Sequence, residues 1–320
     1  MLDECPPHGT IERAHHDRIA VPMQSELPEM IGPYRVVGRL GTGGMGEVFL
    51  GASPSRRLVA VKVIRSEFLD DPRWRARFRR EVTSARSVSG FYTAPVVDAD
   101  PDAERPWLAT QYIRGVSLAK VVKEKGPLRE QAACRLGAGL AEALIAIHRA
   151  GIVHRDMKPS NVLLASDGPR VIDFGIARPL DALPLSRTEI LGTPAYMSPE
   201  QALGDPVHPE SDVFSLGATL VFAATGAAPF GTDHKVRGRI VYGEPDLTRL
   251  PDPMRGLVSR CLVKDAGERP TPEQILVALS TLLDAHYGEE WPPVDVEQLI
   301  GVQERTLVEI TAELPTLLEP

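Results

Sequence analysis

Residues 154–161 constrain this chain more than any other segment of its sequence. They read His-Arg-Asp-Met-Lys-Pro-Ser-Asn, which sets an imidazole, a guanidinium, a carboxylate, an ammonium group and a carboxamide at fixed spacings. Five such positions, each matched by chance about one time in twenty, coincide in a chain of this length with odds on the order of one in ten thousand. The segment therefore indicates a functional site.

The composition is that of an ordinary globular protein. The 320 residues, 43% hydrophobic and 25% charged, are enough for roughly two domains of ~150 residues each. The net charge of -7 argues against a nucleic-acid partner bound by phosphate neutralisation. The cysteines Cys5, Cys134 and Cys261 are too far apart for a disulfide framework, which favours a reducing, cytoplasmic location.

One uncharged run has the length of a membrane-spanning helix, residues 213–232. Polar residues and helix breakers interrupt it, including Gly226 and Pro229, and no basic cluster flanks it. We therefore expect a buried core helix there. The first 17 residues lack the apolar stretch of a signal peptide, so we expect neither a membrane span nor secretion.

Strand patterns dominate the first part of the chain and helical patterns the part after about residue 118. Residues 1–33 contain prolines and no periodicity, which predicts a flexible N-terminal arm. Residues 288–320 are strongly acidic, and we expect a mobile acidic C-terminal tail. The alternative is a docked helix, for which the apolar residues are Leu299, Leu307, Ile310 and Leu314.

A glycine cluster lies between two predicted strands, residues 34–40 and 47–51. Glycines in such a hairpin let backbone N–H groups approach phosphate oxygens without a Cβ in the way. Spaced glycines alone are a weak signal, and a glycine turn without function is the alternative; the ending of a Walker loop is absent. The candidate phosphate-binding residues are Gly41, Thr42, Gly43, Gly44 and Gly46.

Further motifs follow the glycine cluster in order. They are Val-Ala-Val-Lys ending at Lys62, a helical segment with Glu81, the 154–161 segment, Asp-Phe-Gly beginning at Asp173, a Gly-Thr to Ser-Pro-Glu segment ending at Glu200, Asp212 and Arg269. This series resembles the bacterial eukaryotic-like serine/threonine protein kinases over roughly residues 34–287. The resemblance implies an α+β, bilobal kinase fold with a small β-rich N-lobe, 34–113, and a larger helical C-lobe, 114–287, in a form without a membrane span.

The resemblance also implies the reaction, transfer of the γ-phosphate of ATP to Ser or Thr of protein substrates, with Mg²⁺ and Mn²⁺ as alternative cations. Lys62, held by Glu81, would contact the α- and β-phosphates. Lys158 would contact the γ-phosphate, and Asp156 would accept the hydroxyl proton. The implied metal ligands are Asn161 and Asp173.

The adenine pocket follows from the same resemblance. Adenine is apolar on both faces, and Val48, Ala60 and Leu163 match the residues that enclose it in this family. The backbone groups of Gln111 and Ile113 match those that bind the edge of the base.

Other matched residues are structural or position the substrate. Glu200 and Arg269 are expected to form an ion pair, and Arg155 and Asp212 match further structural residues of the family. Thr193, which follows Gly192, resembles the threonine that shapes the acceptor site in the serine/threonine branch.

The segment between Asp173 and Glu200 is expected to be a regulatory loop. A phosphate on it adds ~1.5 to 2 negative charges, to which Arg155 and Arg178 would bind. We predict autophosphorylation at Thr188 first and Ser186 second, through transient self-association. The alternative is an arginine that pairs with an acidic residue of the loop itself.

Two rival functions remain open at this stage. A small-molecule phosphotransferase shares the acidic loop and the metal ligands but lacks the Gly-Thr and Ser-Pro-Glu segment. A catalytically inactive scaffold is disfavoured by the intact Lys62, Asp156, Asn161 and Asp173. An ATP-turnover assay with a generic protein acceptor separates the three.

Overall fold

A computed structural model of the chain describes residues 27–43, 46–65, 72–173, 194–284 and 291–312. Within them the chain forms two antiparallel sheets and nine α-helices. The strands are β1 (Met30–Ile31), β2 (Tyr34–Gly43), β3 (Gly46–Ala52), β4 (Leu58–Ile64), β5 (Val96–Asp100), β6 (Trp107–Gln111), β7 (Gly115–Ser117), β8 (Val162–Ala165) and β9 (Gly168–Val171). The helices are α1 (Pro72–Arg86), α2 (Leu118–Lys125), α3 (Glu130–Arg149), α4 (Pro199–Leu203), α5 (Pro209–Thr225), α6 (Val236–Tyr242), α7 (Asp252–Cys261), α8 (Pro272–Asp284) and α9 (Val294–Ala312).

The N-lobe is a six-stranded sheet in the order β1-β2-β3-β4-β6-β5. The alternating pattern of β4 explains its two faces, because successive side chains of a strand point to opposite sides. Val59, Val61 and Val63 are buried in a cluster with aromatic residues of β2 and β6. The residues between them, Ala60 and Lys62, line the pocket described below.

The predicted flexible arm, residues 1–33, includes residues that belong to the N-lobe sheet. Met30 and Ile31 pair with β2, and Ile31 is buried beside Tyr34 and Trp107. Gly32 adopts a φ of 55°, and a Cβ there would lie 2.4 Å from the Trp107 ring, so this turn requires glycine. Residues 1–26 lie outside the described ranges.

The C-lobe is built around α3 and α5. The uncharged run, 213–232, falls largely in α5, whose residues are buried nearly throughout, as expected for a core helix. Among the described residues, no helix is both long enough and apolar enough to span a membrane. Gly151 follows α3 with a φ of 73°, the left-handed conformation that glycine commonly adopts just after a helix.

A second sheet, β7-β8-β9, lies in the C-lobe. The 154–161 segment lies between α3 and β8 and ends in a single 3-10 turn at Pro159–Asn161. It leads directly into β8, whose Leu163 lines the pocket described below.

The acidic C-terminal region differs from its prediction. Instead of a mobile tail, residues 294–312 form α9, the alternative that the sequence left open. One face of α9 is buried and contains Val296, Ile300 and Leu307. The acidic residues Glu297, Glu304 and Glu309 are exposed. Leu299 and Ile310 are half-buried, and Leu314 lies outside the described residues.

The docking of α9 leads to a stability prediction. Replacement Ile300→Ala removes a side chain that is 5% exposed within the C-lobe core, so the free energy of unfolding should fall by about 2–4 kcal/mol. The matched control is Val302→Ala on the same helix, where the side chain is 53% exposed and the change should stay within about 0.5 kcal/mol. Denaturant unfolding of the full chain measures both. Equal effects of the two substitutions would show that α9 is not docked in solution.

Candidate active site

A pocket with about 910 Å³ of empty space, including its opening to solvent, lies between the two sheets. Its lining includes all five predicted adenine-binding residues: Val48, Ala60, Gln111, Ile113 and Leu163. The first two come from β3 and β4, the next two from β6 and the segment that follows it, and the last from β8. Both lobes therefore form the walls of one pocket.

The glycine cluster forms the β2–β3 hairpin beside this pocket. Gly41, Thr42 and Gly43 end β2, and Gly43 pairs with Gly46 at the start of β3. A Cβ at Gly46 would lie 2.0 Å from the carbonyl oxygen of Val63, so no other residue fits this close approach to β4. Gly44 lies outside the described residues.

Lys62 lies on the pocket face of β4, but its partner differs from the predicted one. Its Nζ donates to Asp173 Oδ1 at 2.9 Å. Glu81, the expected partner, lies on α1 with its Oε1 at 3.7 Å from a guanidinium nitrogen of Arg155. Within the described residues there is thus no ion pair between Lys62 and Glu81, because each of the two carboxylates faces a different cation.

The carboxylate of Asp212 in α5 organises the backbone of the 154–161 loop. Its Oδ2 accepts the N–H of His154 and its Oδ1 the N–H of Arg155, both at 2.8 Å. Oδ2 also accepts a bond from Nε2 of His148 in α3, again at 2.8 Å. Asp212 is fully buried, so these charge-assisted bonds offset the cost of removing its charge from water.

Two residues of the site have a backbone conformation that side chains disfavour. Arg155 has a φ of 64° and Asp173 a φ of 59°, the left-handed region that glycine usually occupies. Each costs on the order of 1–3 kcal/mol and persists only where the surroundings hold it. The bond from the Arg155 N–H to Asp212 is one such restraint.

His154 is a structural residue beneath the loop. Its Nδ1 accepts the N–H of Asp156 at 3.2 Å, and its Nε2 donates to the carbonyl of Ile172 at 3.1 Å. One accepting and one donating nitrogen describe a neutral imidazole. Burial lowers the pKa of His154 below its ordinary value, against the opposing effect of the nearby carboxylates, which keeps the ring neutral at physiological pH.

The carboxylate of Asp156 is held by two neighbours of the same loop. Its Oδ2 accepts a bond from Asn161 Nδ2 at 3.0 Å and lies 3.1 Å from Lys158 Nζ. Asn161 Nδ2 also donates to the Asp156 carbonyl at 2.9 Å. These contacts fix the direction of the carboxylate, and the side chain remains partly exposed toward the cleft.

The two predicted metal ligands are joined through the backbone. The N–H of Ile172, the residue before Asp173, donates to the Asn161 carbonyl at 3.0 Å. An amide oxygen and a carboxylate are oxygen ligands of the kind that a hard divalent cation prefers. No cluster of three or more His, Cys, Asp or Glu side chains able to hold a metal occurs among the described residues. The pair therefore fits a cation that takes its remaining ligands from phosphates and water.

Glu200 and Arg269 form the expected ion pair. Two guanidinium nitrogens of Arg269 donate to Glu200 at 2.7 and 3.0 Å, and the Arg269 side chain is fully buried. Burial raises the pKa of Glu200, but the hydrogen bonds from Arg269 and Ser211 outweigh it and leave that pKa below its ordinary value. The pair connects the start of α4 to the segment before α8.

Motif reading missed two residues that support the site. His148 bonds to Asp212, as described above. Gln201 caps α4 by accepting the N–H of Ser198 at 3.0 Å, and its Nε2 donates to the Arg155 carbonyl at 2.8 Å. The Ser-Pro-Glu-Gln sequence carried the capping signal, whereas nothing local in the sequence indicated its bond to the loop.

A third missed residue comes from α9. Gln303 lines the pocket, and its Nε2 donates to the hydroxyl of Tyr112 at 3.3 Å. Burial raises the pKa of Tyr112 to about 12, so the hydroxyl stays protonated. The C-terminal helix therefore reaches the pocket next to its Gln111–Ile113 wall.

Several predicted residues lie outside the described ranges. They are Gly44, the Phe-Gly pair after Asp173, Arg178, Ser186, Thr188 and Thr193. Their predicted roles remain predictions.

Comparison with known proteins follows the geometry of the site. Residues 34–278 match the family described as protein kinase domain. Over 283 residues, 88% of this chain, the sequence is 53% identical to a protein from Thermomonospora curvata named "Probable serine/threonine-protein kinase PkwA". Over 287 residues it is 50% identical to the serine/threonine-protein kinase AfsK of Streptomyces coelicolor. The chain spans only 38% and 36% of the length of these two relatives.

Among solved structures, the chain is similar to the crystal structure of the PknI kinase domain of Mycobacterium tuberculosis. The TM-score is 0.64 and the sequence identity 26%, over 80% of this chain and 98% of that one. The expected α+β, two-lobed fold is thereby confirmed.

Proposed function

Because this chain belongs to the protein kinase domain family, which residues 34–278 match, we propose that it transfers the γ-phosphate of ATP to serine and threonine hydroxyls of protein substrates. The names of its relatives support this reaction, although the chain corresponds to a little over a third of their length. Substrates and partners are part of the proposal.

One observation carries the proposal. Five charged or amide side chains lie in two adjacent groups. Lys62 donates to Asp173 at 2.9 Å, and Asp156 contacts Asn161 and Lys158 at 3.0 and 3.1 Å. The bond from the Ile172 N–H to the Asn161 carbonyl joins the two groups. Phosphoryl transfer depends mainly on positioning and on neutralising charge, which is what such a set supplies.

Asp156 is the proposed base. Asn161 and Lys158 hold its carboxylate in one direction, so it can orient a substrate hydroxyl and accept its proton. The hydroxyl oxygen then bonds to the γ-phosphorus while the bond from that phosphorus to ADP breaks. Lys158 neutralises charge on the transferred group, and Thr193 remains the residue proposed to shape the acceptor site.

Asn161 and Asp173 are the proposed ligands of Mg²⁺, or of Mn²⁺ in its place. When bound, the cation would offset the negative charge of the phosphates. In this structure the Lys62 ammonium group is paired with the Asp173 carboxylate. We propose that Lys62 releases Asp173 when it binds the α- and β-phosphates, which makes the Asp173 carboxylate available to the metal.

A cytoplasmic location is part of the proposal. Cys134 and Cys261 are buried free thiols, and burial raises the pKa of Cys134 to about 11, so it stays protonated. Buried free thiols are typical of proteins from a reducing compartment.

The proposed roles predict different effects at the two ends of the site. Lys62→Met should weaken ATP binding, because Lys62 contacts the nucleotide before and during transfer. Asp156→Asn should lower turnover by ~10²-fold or more with ATP binding retained, because Asp156 acts on the hydroxyl. Calorimetry with ATP and a phosphate-transfer assay on a generic protein acceptor measure the two effects.

The matched control is Asp205→Asn, an exposed carboxylate outside the cleft, which should leave both measurements unchanged. An Asp156→Asn chain with near-normal turnover would contradict the assignment of the base.

Regulation through the 174–193 segment is a further part of the proposal, although the segment lies outside the described residues. Arg155 is the described cation that we propose such a phosphate would recruit; its side chain is 15% exposed and lies beside Glu81. A phosphate with two negative charges would compete with the single charge of Glu81 for this guanidinium.

We therefore expect autophosphorylation at Thr188 first and Ser186 second, between two copies of the chain. Mass spectrometry after incubation with Mg-ATP should find these sites in the wild-type chain and in an Asp156→Asn chain mixed with it, but not in the Asp156→Asn chain alone. Full turnover by a chain that carries both Thr188→Ala and Ser186→Ala would contradict this control mechanism.

A further inference from the structure

Helix α9 connects the two lobes along the outer side of the pocket. Its first half is buried in the C-lobe core through Val296 and Ile300. Its second half places Leu307, 4% exposed, in a cluster with Leu40 of β2 and Leu50 of β3. Leu40 itself lines the pocket, so the helix covers the pocket at the N-lobe strand that leads into the glycine hairpin.

Gln303 lies between these two anchors and is among the residues that line the pocket. Its carboxamide Nε2 is engaged by the Tyr112 hydroxyl at 3.3 Å. Its Oε1 is buried, and no donor within the described residues bonds to it. A buried amide oxygen without a partner is unfavourable, and such atoms in native proteins are normally satisfied. Because Gln303 lines the pocket, a rotation of its carboxamide would bring this unsatisfied acceptor to a donor on a bound ligand.

The other walls already match other parts of a nucleotide. The apolar side chains of Val48, Ala60 and Leu163 suit the faces of a base, and the adjacent backbone suits its edge. Lys62 and Asp173, at the far end, suit phosphates and a metal. The sugar lies between base and phosphates in any nucleoside triphosphate, and its hydroxyl groups are neutral hydrogen-bond donors.

Gln303 lies in the part of the pocket lining that contains Tyr112, Gly115 and Leu40, away from Lys62. The strand that starts at Gly115, β7, is also in contact with α9. A hydrogen-bond acceptor at this place can receive a hydrogen bond from a sugar hydroxyl. The phosphates offer acceptors and no donor, so they would not pair with it.

We propose that Gln303 is a nucleotide-positioning residue whose Oε1 accepts a hydrogen bond from a ribose hydroxyl of the bound ATP. The proposal rests on the proposed function, since it concerns the same nucleotide. Through it α9 becomes part of the binding site, and the C-terminal region contributes to nucleotide affinity and to the preference for ribose over deoxyribose.

The test is calorimetric binding of ATP, 2′-deoxy-ATP and 3′-deoxy-ATP to the full chain. The wild-type chain should bind at least one deoxynucleotide about 2- to 10-fold more weakly than ATP, the range that one neutral hydrogen bond gives. Gln303→Met, which keeps the length of the side chain and removes its polar atoms, should bind ATP more weakly by the same factor and should no longer distinguish that deoxynucleotide. Gln303→Glu keeps acceptor oxygens and should retain the discrimination.

The matched control is Gln298→Met, an exposed residue of the same helix, which should behave as the wild-type chain. Equal binding of all three nucleotides by the wild-type chain would overturn the proposal without any variant. So would an unchanged preference in Gln303→Met. If the wild-type chain binds ATP and transfers its phosphate but either of these results is found, only the role of Gln303 is refuted. A wild-type chain that binds no ATP would refute the proposed function.

Discussion

The buried carboxylate of Asp212 is the interaction on which the site depends most. It accepts the backbone N–H groups of two consecutive loop residues, His154 and Arg155, from the core helix α5. Arg155 adopts a disfavoured positive φ that does not persist without such restraint. Because Asp156 follows directly, the backbone position from which its carboxylate projects depends on the bonds that Asp212 makes to the two preceding residues.

Further contacts join this loop to the rest of the molecule. The Arg155 carbonyl accepts a bond from Gln201 of α4, and Glu200, the preceding residue, is held by the buried Arg269. The segments that surround the site are thus connected to the C-lobe core through hydrogen bonds of charged and amide groups. On the opposite side, α9 links that core to the N-lobe strands through Leu307. The pocket is therefore bounded by elements from both ends of the chain.

Sequence patterns predicted much of this arrangement. The resemblance assigned Ala60 and Lys62 to the nucleotide site and Glu200 to an ion pair with Arg269; the first two line the pocket, and the ion pair is present. The docking of α9 was only the less favoured of two alternatives, because its acidic residues favoured a tail and because Leu40 and Leu50, which bury Leu307, are more than 250 residues away in sequence. The predicted partner of Lys62, Glu81, was wrong for a related reason. Which carboxylate lies next to Lys62 depends on where α1 lies relative to the 154–161 loop.

If Asp212 holds the 154–161 loop in place before any nucleotide binds, the backbone amides of His154 and Arg155 should be protected from hydrogen exchange in the full chain without nucleotide. We expect protection of roughly a thousand-fold or more relative to a free peptide, which corresponds to an opening free energy of about 4 kcal/mol. Exchange of both amides at the rate of a free peptide, with protection appearing only after ATP is added, would contradict it.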